Sequence, residues 1–218
     1  LADLAGICEG MHILDIGSGI GGPARTLATE FGCRVTGLDL TEDYCHAATM
    51  LTARVGLQDQ ITFEHGNALD MPFDDMTFDV VWSQDVLMNI EAKLQLFAEV
   101  HRVLRPGGSL AFQANMTGQV PKVYYPVFWA DDGRHSYLMS SEECRRLLSA
   151  SGFRERVWHD TTVQMVEQAR TRLATGSEAA PSKDDPPALG LSLIVATNLE
   201  ECILNMLRNF AEGRLVKI

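Results

Sequence analysis

Positive charge is scarce in this chain. Eighteen lysines and arginines stand against 29 aspartates and glutamates in 218 residues, a formal net charge of -11. Binding to a nucleic-acid backbone needs cations that neutralise phosphates, and the deficit argues against such a partner. Long hydrophobic runs are missing as well. No apolar stretch approaches the roughly 20 residues of a membrane-spanning helix, which argues against a membrane partner. There is no C-x-x-C pair. Cys8, Cys33, Cys45, Cys144 and Cys202 lie far apart, which is neither a zinc pattern nor a disulfide framework. Their odd number and mostly apolar surroundings suit reduced thiols and a cytoplasmic location. The six histidines are equally scattered, and no metal is expected. No internal repeat and no signal peptide is visible. The chain starts at Leu1 and stops in an apolar run, Leu215-Val216-Lys217-Ile218, and both ends read as truncated.

What is present is an ordinary globular composition, 46% hydrophobic and 22% charged, in a chain long enough for one domain with a core. The first half alternates short apolar runs with amphipathic ones. Strand patterns fall at 11–16, 34–39, 60–65, 78–83 and 108–114, and helix patterns at 23–32, 42–55 and 91–104. Arg105-Pro106-Gly107-Gly108 reads as a helix stop followed by a strand start. This alternation predicts an α/β, Rossmann-like, doubly wound sheet with helices on both faces. Ligands bind such sheets beyond the carboxyl ends of the strands.

The second half differs. Residues 116–139 form a long connection rich in Pro, Tyr and Trp. Ser140 and Glu143 make a capping box for a helix whose inward stripe is Cys144, Leu147, Leu148 and Ser151. Phe153 to Trp158 reads as a strand, 162–174 as a helix, and the Gly, Ser, Pro and Asp-rich stretch 176–188 as a linker. Leu199, Cys202, Ile203, Met206, Leu207 and Phe210 give a last helix whose stripe is core or a homodimer contact. The organisation expected is a single domain over 1–218. A cofactor-binding half spans 1–115, an acceptor-covering connection 116–139, and C-terminal helices and edge strands 140–218.

The chemistry starts at His12-Ile13-Leu14-Asp15-Ile16-Gly17-Ser18-Gly19-Ile20-Gly21-Gly22. An apolar strand ends in an acid, and a glycine turn feeds the helix of Ala24, Leu27, Ala28 and Phe31. Gly17, Gly19 and Gly22 satisfy G-x-G-x-x-G, and Asp39 closes the second strand 22 residues after Gly17. An acid there serves the ribose of NAD and of an adenosyl group equally. Asp15 breaks the tie, because a carboxylate two residues before Gly17 repels a pyrophosphate but suits an ammonium and a sulfonium. The turn Gly66-Asn67-Ala68-Leu69-Asp70-Met71-Pro72-Phe73 adds a small polar side chain that can read an adenine edge. Phe78-Asp79-Val80-Val81-Trp82 and Val103-Leu104-Arg105-Pro106-Gly107-Gly108 complete the series.

In that order and spacing these residues resemble the class I S-adenosylmethionine-dependent methyltransferases over residues 11 to about 115. The resemblance implies a mostly parallel sheet with an antiparallel last strand, for which 214–218 is the candidate. It implies S-adenosylmethionine as cofactor and S-adenosylhomocysteine as product. Asp15 and the Gly17 backbone would lie near the methionine ammonium, with Gly19 and Gly21 allowing close approach. Asp39 would accept from the ribose hydroxyls and Leu40 would flank the adenine. Asn67 would face the adenine amino group, and Ala68 would offer a backbone amide. Ser83 and Gln84 would touch the methionine end. Arg25 is either a carboxylate partner or an exposed helix cation.

Trp82-Ser83-Gln84-Asp85-Val86-Leu87-Met88-Asn89 is similar to the small-molecule N-methyltransferases acting on sarcosine and dimethylglycine. Gly19-Ile20-Gly21-Gly22-Pro23-Ala24-Arg25 and Arg208-Asn209-Phe210-Ala211-Glu212-Gly213-Arg214 point the same way. That group often carries His where Asn89 stands, which leaves Gln84, Asn89 and His135 as the candidates for a catalytic role. Tyr125 and Trp129 are expected to enclose an amine by cation–π contact, or else to pack the connection onto the core. Arg134 or Lys122 is expected to hold a substrate carboxylate. Methyl transfer to the nitrogen of a small amine is the activity these motifs imply. Methylation at O, C or S is the alternative. An NAD-dependent oxidoreductase and a non-catalytic cofactor-binding domain are more distant ones.

Overall fold

The apolar runs that become the strands His12–Ile16, Arg34–Asp39 and Phe78–Gln84 are buried along nearly their whole length. A computed structural model describes residues 1–175 and 198–218. A short helix, α1 (Ala2–Ala5), precedes β1 (His12–Ile16), α2 (Gly22–Phe31), β2 (Arg34–Asp39), α3 (Glu42–Arg54) and β3 (Ile61–His65). Then come β4 (Phe78–Gln84), a 3-10 turn at Leu87–Asn89, α4 (Lys93–Val103) and β5 (Leu104–Gln113). The five strands form a sheet in the order β3-β2-β1-β4-β5, and all its pairs are parallel. Strand order reverses between β1 and β4. In open α/β sheets the ligand crevice lies at such a switch point, beyond the carboxyl ends of the strands.

The four residues Ile13 to Ile16 are at most 3% exposed, which explains a continuous apolar run instead of an alternating one. Ile13, Val35, Val80 and Trp82 pack with Ala24, Leu27 and Ala28 of α2 in one core cluster. Each large apolar side chain buried in this way contributes about 1.5–3 kcal/mol. Asp79 joins the strands from a different chemistry. Its Oδ2 accepts from His12 N–H at 2.8 Å and its Oδ1 from Arg105 Nη1 at 2.6 Å, and these bonds hold its pKa below the usual carboxylate value against the cost of burial.

Two sequence expectations change. β5 begins at Leu104, ahead of the expected 108. Leu104 pairs with Phe78, the register then slips, and Ser109 pairs with Val80. Gly107, at φ +82°, lets Arg105–Gly108 leave and rejoin the ladder. The segment Phe153–Trp158 is not a strand. Val157 is exposed, Arg145 pairs with Glu155 at 2.8 Å, and Arg156 Nη1 bonds Ser109 Oγ at 3.2 Å. It has no apolar face to bury and no ladder to join among the described residues.

The chain packs as two units. The first is Leu1–Ala114 with Glu142–Val157, which includes most of α5 (Ser141–Ala150). The second is Asn115–Ser141 with Trp158–Ile218. It contains β6 (Asn115–Thr117), a 3-10 turn at Gly133–His135, α6 (Thr162–Thr175), α7 (Leu199–Ala211) and β7 (Leu215–Lys217). The last strand runs antiparallel, as expected, and pairs with β6 in a sheet of two. The 162–174 helix is present as α6. The 176–188 linker lies outside the described residues.

In the second unit the stripe of α7 is core. Met206 and Phe210 pack with Val127 and Leu215, and Val123, Tyr125, Trp129, Leu138 and Met165 close around them. Asn209 is fully buried on the same helix. Its Oδ1 accepts from Tyr124 N–H and its Nδ2 donates to Tyr124 C=O, both at 2.9 Å. The side-chain amide thus stands in for a paired strand.

Candidate functional site

The glycine turn after β1 is built against three neighbours. Gly17 and Ser18 N–H both donate to Leu38 C=O, at 2.8 and 3.2 Å, which ties the turn to β2. Gly17 has φ +68°, and a Cβ there would overlap Val86 Cγ2 in the segment after β4. Gly21 has φ +78°, and a Cβ there would come within 2.5 Å of the Phe63 ring. Around Gly19, at φ +52°, the space is open. The turn is therefore held by Val86 and Phe63 on its inner sides, with Gly19 on the open side.

Asp39 fixes the rest of the turn. Its Oδ2 accepts from Gly19 N–H at 2.8 Å and its Oδ1 from Thr41 N–H at 2.9 Å. Each oxygen keeps a lone-pair direction for a further donor. Leu40, next in sequence, is 70% exposed at the carboxyl end of β2, where a flat apolar ligand could cover it. Arg25, on the first turn of α2, donates from Nη1 to Ile20 C=O at 2.8 Å and reaches Thr52 Oγ1 at 3.4 Å. It braces the glycine turn from behind.

Asp15 is the electrostatic centre. It is 1% exposed and its Oδ2 has no hydrogen-bond partner among the described residues. Burial, with a smaller contribution from the Asp39 charge, raises its pKa to about 8. In register Asp15 sits between Gly37 of β2 and Trp82 of β4, and register partners project to one face of a parallel sheet. The missing side chain at Gly37 makes room for Ser18 Oγ, which lies 2.8 Å from where a Cβ would be. Ser18 Oγ and Trp82 Nε1 are also buried without partners. Three orphaned polar groups thus gather on one face. Buried polar groups normally find partners, and such a cluster marks a place for one. A carboxyl there fits the cationic methionine end of S-adenosylmethionine and offers a pyrophosphate no cation.

The turn after β3 is ordered by its own side chains. Asn67 Oδ1 accepts from Leu69 N–H at 2.9 Å, and Asn67 C=O accepts from Asp70 N–H at 3.0 Å. Ala68 N–H has no backbone partner among the described residues. A residue the sequence did not single out, Arg102 of α4, holds the far side of this turn. It donates to Phe73 C=O, Met71 C=O and Asp75, and forms a two-pronged pair with Glu99. Those bonds keep the Glu99 pKa low and raise that of Arg102. In sequence Arg102 reads as an ordinary last-turn helix cation; only the fold brings the carbonyls to it.

At the end of β4, Ser83 is buried and Gln84 Nε2 bonds Gln113 Oε1 at 3.3 Å. Asp85 takes φ +57°, a conformation uncommon outside glycine that turns the chain sharply away from the sheet. Val86 then reaches Gly17. Asn89 ends the 3-10 turn and is exposed. Gly17, Gly19, Gly21, Leu40, Asn67 and Ala68 lie on the turns that follow β1–β3, Asp15, Asp39, Ser83 and Gln84 lie in the last residues of β1, β2 and β4, and Arg25 lies in α2.

The remaining candidates lie in the second unit. Tyr125 and Trp129 join the apolar cluster of α7, and Trp129 Nε1 donates to Ser136 Oγ at 2.9 Å. Arg134 is exposed and pairs with Asp132 at 2.7 Å. His135 ends the 3-10 turn and is exposed. No group of histidines, cysteines and acids among the described residues could hold a metal, and no described helix is long and apolar enough to cross a membrane.

Parts of the chain are similar to known proteins. Residues 14–112 match the family model of a methyltransferase domain. Sterol 24-C-methyltransferase of Eremothecium gossypii is 38% identical over 111 residues, 51% of this chain and 30% of the relative. Glycine/sarcosine/dimethylglycine N-methyltransferase of Actinopolyspora halophila is 40% identical over 111 residues, 51% of this chain and 20% of the relative. The chain thus spans a third or less of these relatives. The structure of Haemonchus contortus phosphoethanolamine N-methyltransferase 2, solved with phosphomonomethylethanolamine and S-adenosylhomocysteine, superposes with a TM-score of 0.77 at 21% identity. It aligns with 99% of this chain, which covers 49% of that one. Over residues 14–112 this chain is similar in sequence to a methyltransferase domain, and it shares the fold of the S-adenosylmethionine-dependent methyltransferases it resembles.

Proposed function

We propose that this chain transfers a methyl group from S-adenosylmethionine to a small-molecule acceptor, with an amine nitrogen as the preferred target. The observation that carries the reading is the buried Asp15 carboxyl, unpartnered at Oδ2, beside a glycine turn at the switch point of the sheet. A pyrophosphate-bearing cofactor finds no cation there to pair with. An ammonium-bearing one meets a carboxyl that can become its counter-ion. S-adenosylmethionine, when bound, supplies an electrophilic methyl group on a sulfonium.

The residues then have distinct tasks. Asp15 and the Gly17 carbonyl take the methionine ammonium, with Ser83 and Gln84 at the same end. Asp39 accepts from the ribose hydroxyls and Leu40 covers one adenine face. Asn67 and Ala68 read the adenine edge. Gly19 and Gly21 let the backbone approach, and Arg25 steadies that backbone. In-line displacement at a sulfonium needs alignment above all, and fixed turns supply it. A base is needed only for an acceptor that arrives protonated. His135 is the candidate for that role, with Gln84 and Asn89 as polar groups that can orient an acceptor.

The preference for nitrogen rests on the 82–89 and 208–214 motifs and on the glycine/sarcosine/dimethylglycine relative. Tyr125 and Trp129 are the candidates for contact with an amine, and Arg134 for a carboxylate. Methylation at carbon is the second reading, favoured by the sterol relative. Four buried free cysteines, Cys33, Cys45, Cys144 and Cys202, suit a reducing, cytoplasmic setting.

The test has two steps. Calorimetric titration with S-adenosylhomocysteine and, separately, with NAD identifies the cofactor; binding of NAD alone overturns the reading. Incubation with S-adenosylmethionine and panels of amines, sterols, phenols and thiols then reads a mass gain of one methyl group. A gain confined to sterols replaces nitrogen by carbon. In an active amine assay, Trp129→Ala should raise the acceptor KM more than it lowers kcat.

A further inference from the structure

Asp15 carries a consequence beyond recognition, and it rests on the cofactor reading above. We propose that Asp15 is held as the neutral acid until a cationic ligand group arrives, so that binding the methionine end of the cofactor expels one proton to solvent. In this exchange the carboxyl O–H breaks, the proton leaves to water, and the carboxylate pairs with the incoming ammonium. No oxidant or further reactant is required.

Geometry carries the argument. The carboxyl is 1% exposed, and its Oδ2 meets no donor. The two unpartnered groups on its face, Ser18 Oγ and Trp82 Nε1, are neutral. Charged groups on the surrounding elements give no compensation. Asp39 closes β2 and adds a like charge that opposes ionisation. Arg34 stands at the other end of β2, opposite His12 in register. On β4, Asp79 sits at the start and pairs with Arg105, and Asp85 lies past the end. On α2, Arg25 directs Nη1 to the Ile20 carbonyl, and Glu30 is exposed near the helix end. An ionised carboxylate buried without a partner is costly, and the group protonates instead. The direction of the Asp15 shift, upward to about 8, agrees with this placement.

The sign follows directly. Below the raised pKa the acid must lose its proton before it can pair with a cation. Affinity then rises with pH by up to about tenfold per unit and levels off above it. At pH 5.5–7 the α-ammonium of the ligand stays charged and does not confuse the trend.

The experiment is calorimetry of the whole chain with S-adenosylhomocysteine at pH 6.5, in buffers of different ionisation enthalpy. The expected result is release of about one proton per ligand bound, with Kd falling five- to tenfold per unit from pH 5.5 to 7. Asp15→Asn should remove both the proton release and the pH dependence. Difference infrared spectroscopy serves as a second measure should that variant fail to fold. The carbonyl stretch of a protonated carboxylic acid should disappear when the ligand is added to the parent protein. Binding with no net proton release, a flat pH profile and no carboxylic acid signal overturns the proposal while leaving the cofactor reading standing. Absence of S-adenosylhomocysteine binding, with NAD bound in its place, overturns both.

Discussion

The Asp15 face of the first unit and the charged clusters of the second handle polar groups in opposite ways. In the first, Oδ2 of Asp15, the hydroxyl of Ser18 and the indole N–H of Trp82 are buried on one face without partners among the described residues. In the second, neighbouring charges engage one another. Arg208 and Arg214 both lie over the Tyr124 ring, at 3.9 and 4.2 Å from its centre. Both donate to its hydroxyl, and Glu212 accepts from both. Arg134 has Asp132. A cluster that satisfies itself is architecture. A cluster left unsatisfied is waiting for something of complementary charge, and it is the stronger sign of a binding site.

The contrast can be broken at several points. The largest effect belongs to Gly17→Ala. Its Cβ would overlap Val86 Cγ2 at a φ of +68°, and overpacking with left-handed strain costs roughly 2–5 kcal/mol. Urea unfolding should show a loss of that size, and S-adenosylhomocysteine binding should vanish. Parent-like stability would mean that the turn is not braced as described.

Asp39→Ala comes next. It removes acceptors for Gly19 and Thr41 N–H and for the ribose, and charge-assisted bonds contribute roughly 1.5–3 kcal/mol each. Calorimetry should show S-adenosylhomocysteine affinity falling by about 100-fold. An unchanged Kd would remove the ribose assignment.

Asp15→Asn tests the contrast by its sign. The folded pKa of about 8 lies above the ordinary value of 3.8. The folded state therefore keeps a proton that the unfolded chain sheds, and stability falls as pH rises from about 4 to about 8. The variant removes that penalty. It should melt higher than the parent at pH 8, with the gap narrowing towards pH 5, while binding the cofactor more weakly. A variant that melts lower at pH 8 would mean that Asp15 is ionised and paired.

Arg102→Ala should cost about 2 kcal/mol in urea unfolding, since it leaves Met71 and Phe73 carbonyls and Glu99 without their donor. Cofactor affinity should drop a fewfold as the adenine turn loosens. Arg134→Ala should give the smallest change in stability, close to none in urea unfolding, because its ion pair is exposed and screened.

The sheet was readable because buried parallel strands leave continuous apolar runs, and β1 to β4 fall within one residue of their expected bounds. The start of β5 was not, because Pro106 and Gly107 look like punctuation while the ladder resumes across them. Residues 153–158 have strand-like composition, but a strand exists only where another lies beside it. The glycine turn, Asp15 and Asp39 stand out because their chemistry is local in sequence. Ser18, Phe63, Trp82 and Arg102 do not, since each acts on a partner brought in by the sheet. The acceptor side is the least legible. Tyr125 and Trp129 would be retained for packing alone, and composition cannot separate that use from recognition.

Asp39 has one more consequence. Its two backbone bonds, from Gly19 and Thr41, already fix the rotation of the carboxylate. A ribose diol does not have to orient this acceptor, because folding has done so. Freezing a flexible side chain at a binding site costs about 0.5–1.5 kcal/mol. Here that loss of freedom belongs to the folding of the glycine turn, and none of it is charged to the encounter with the ligand.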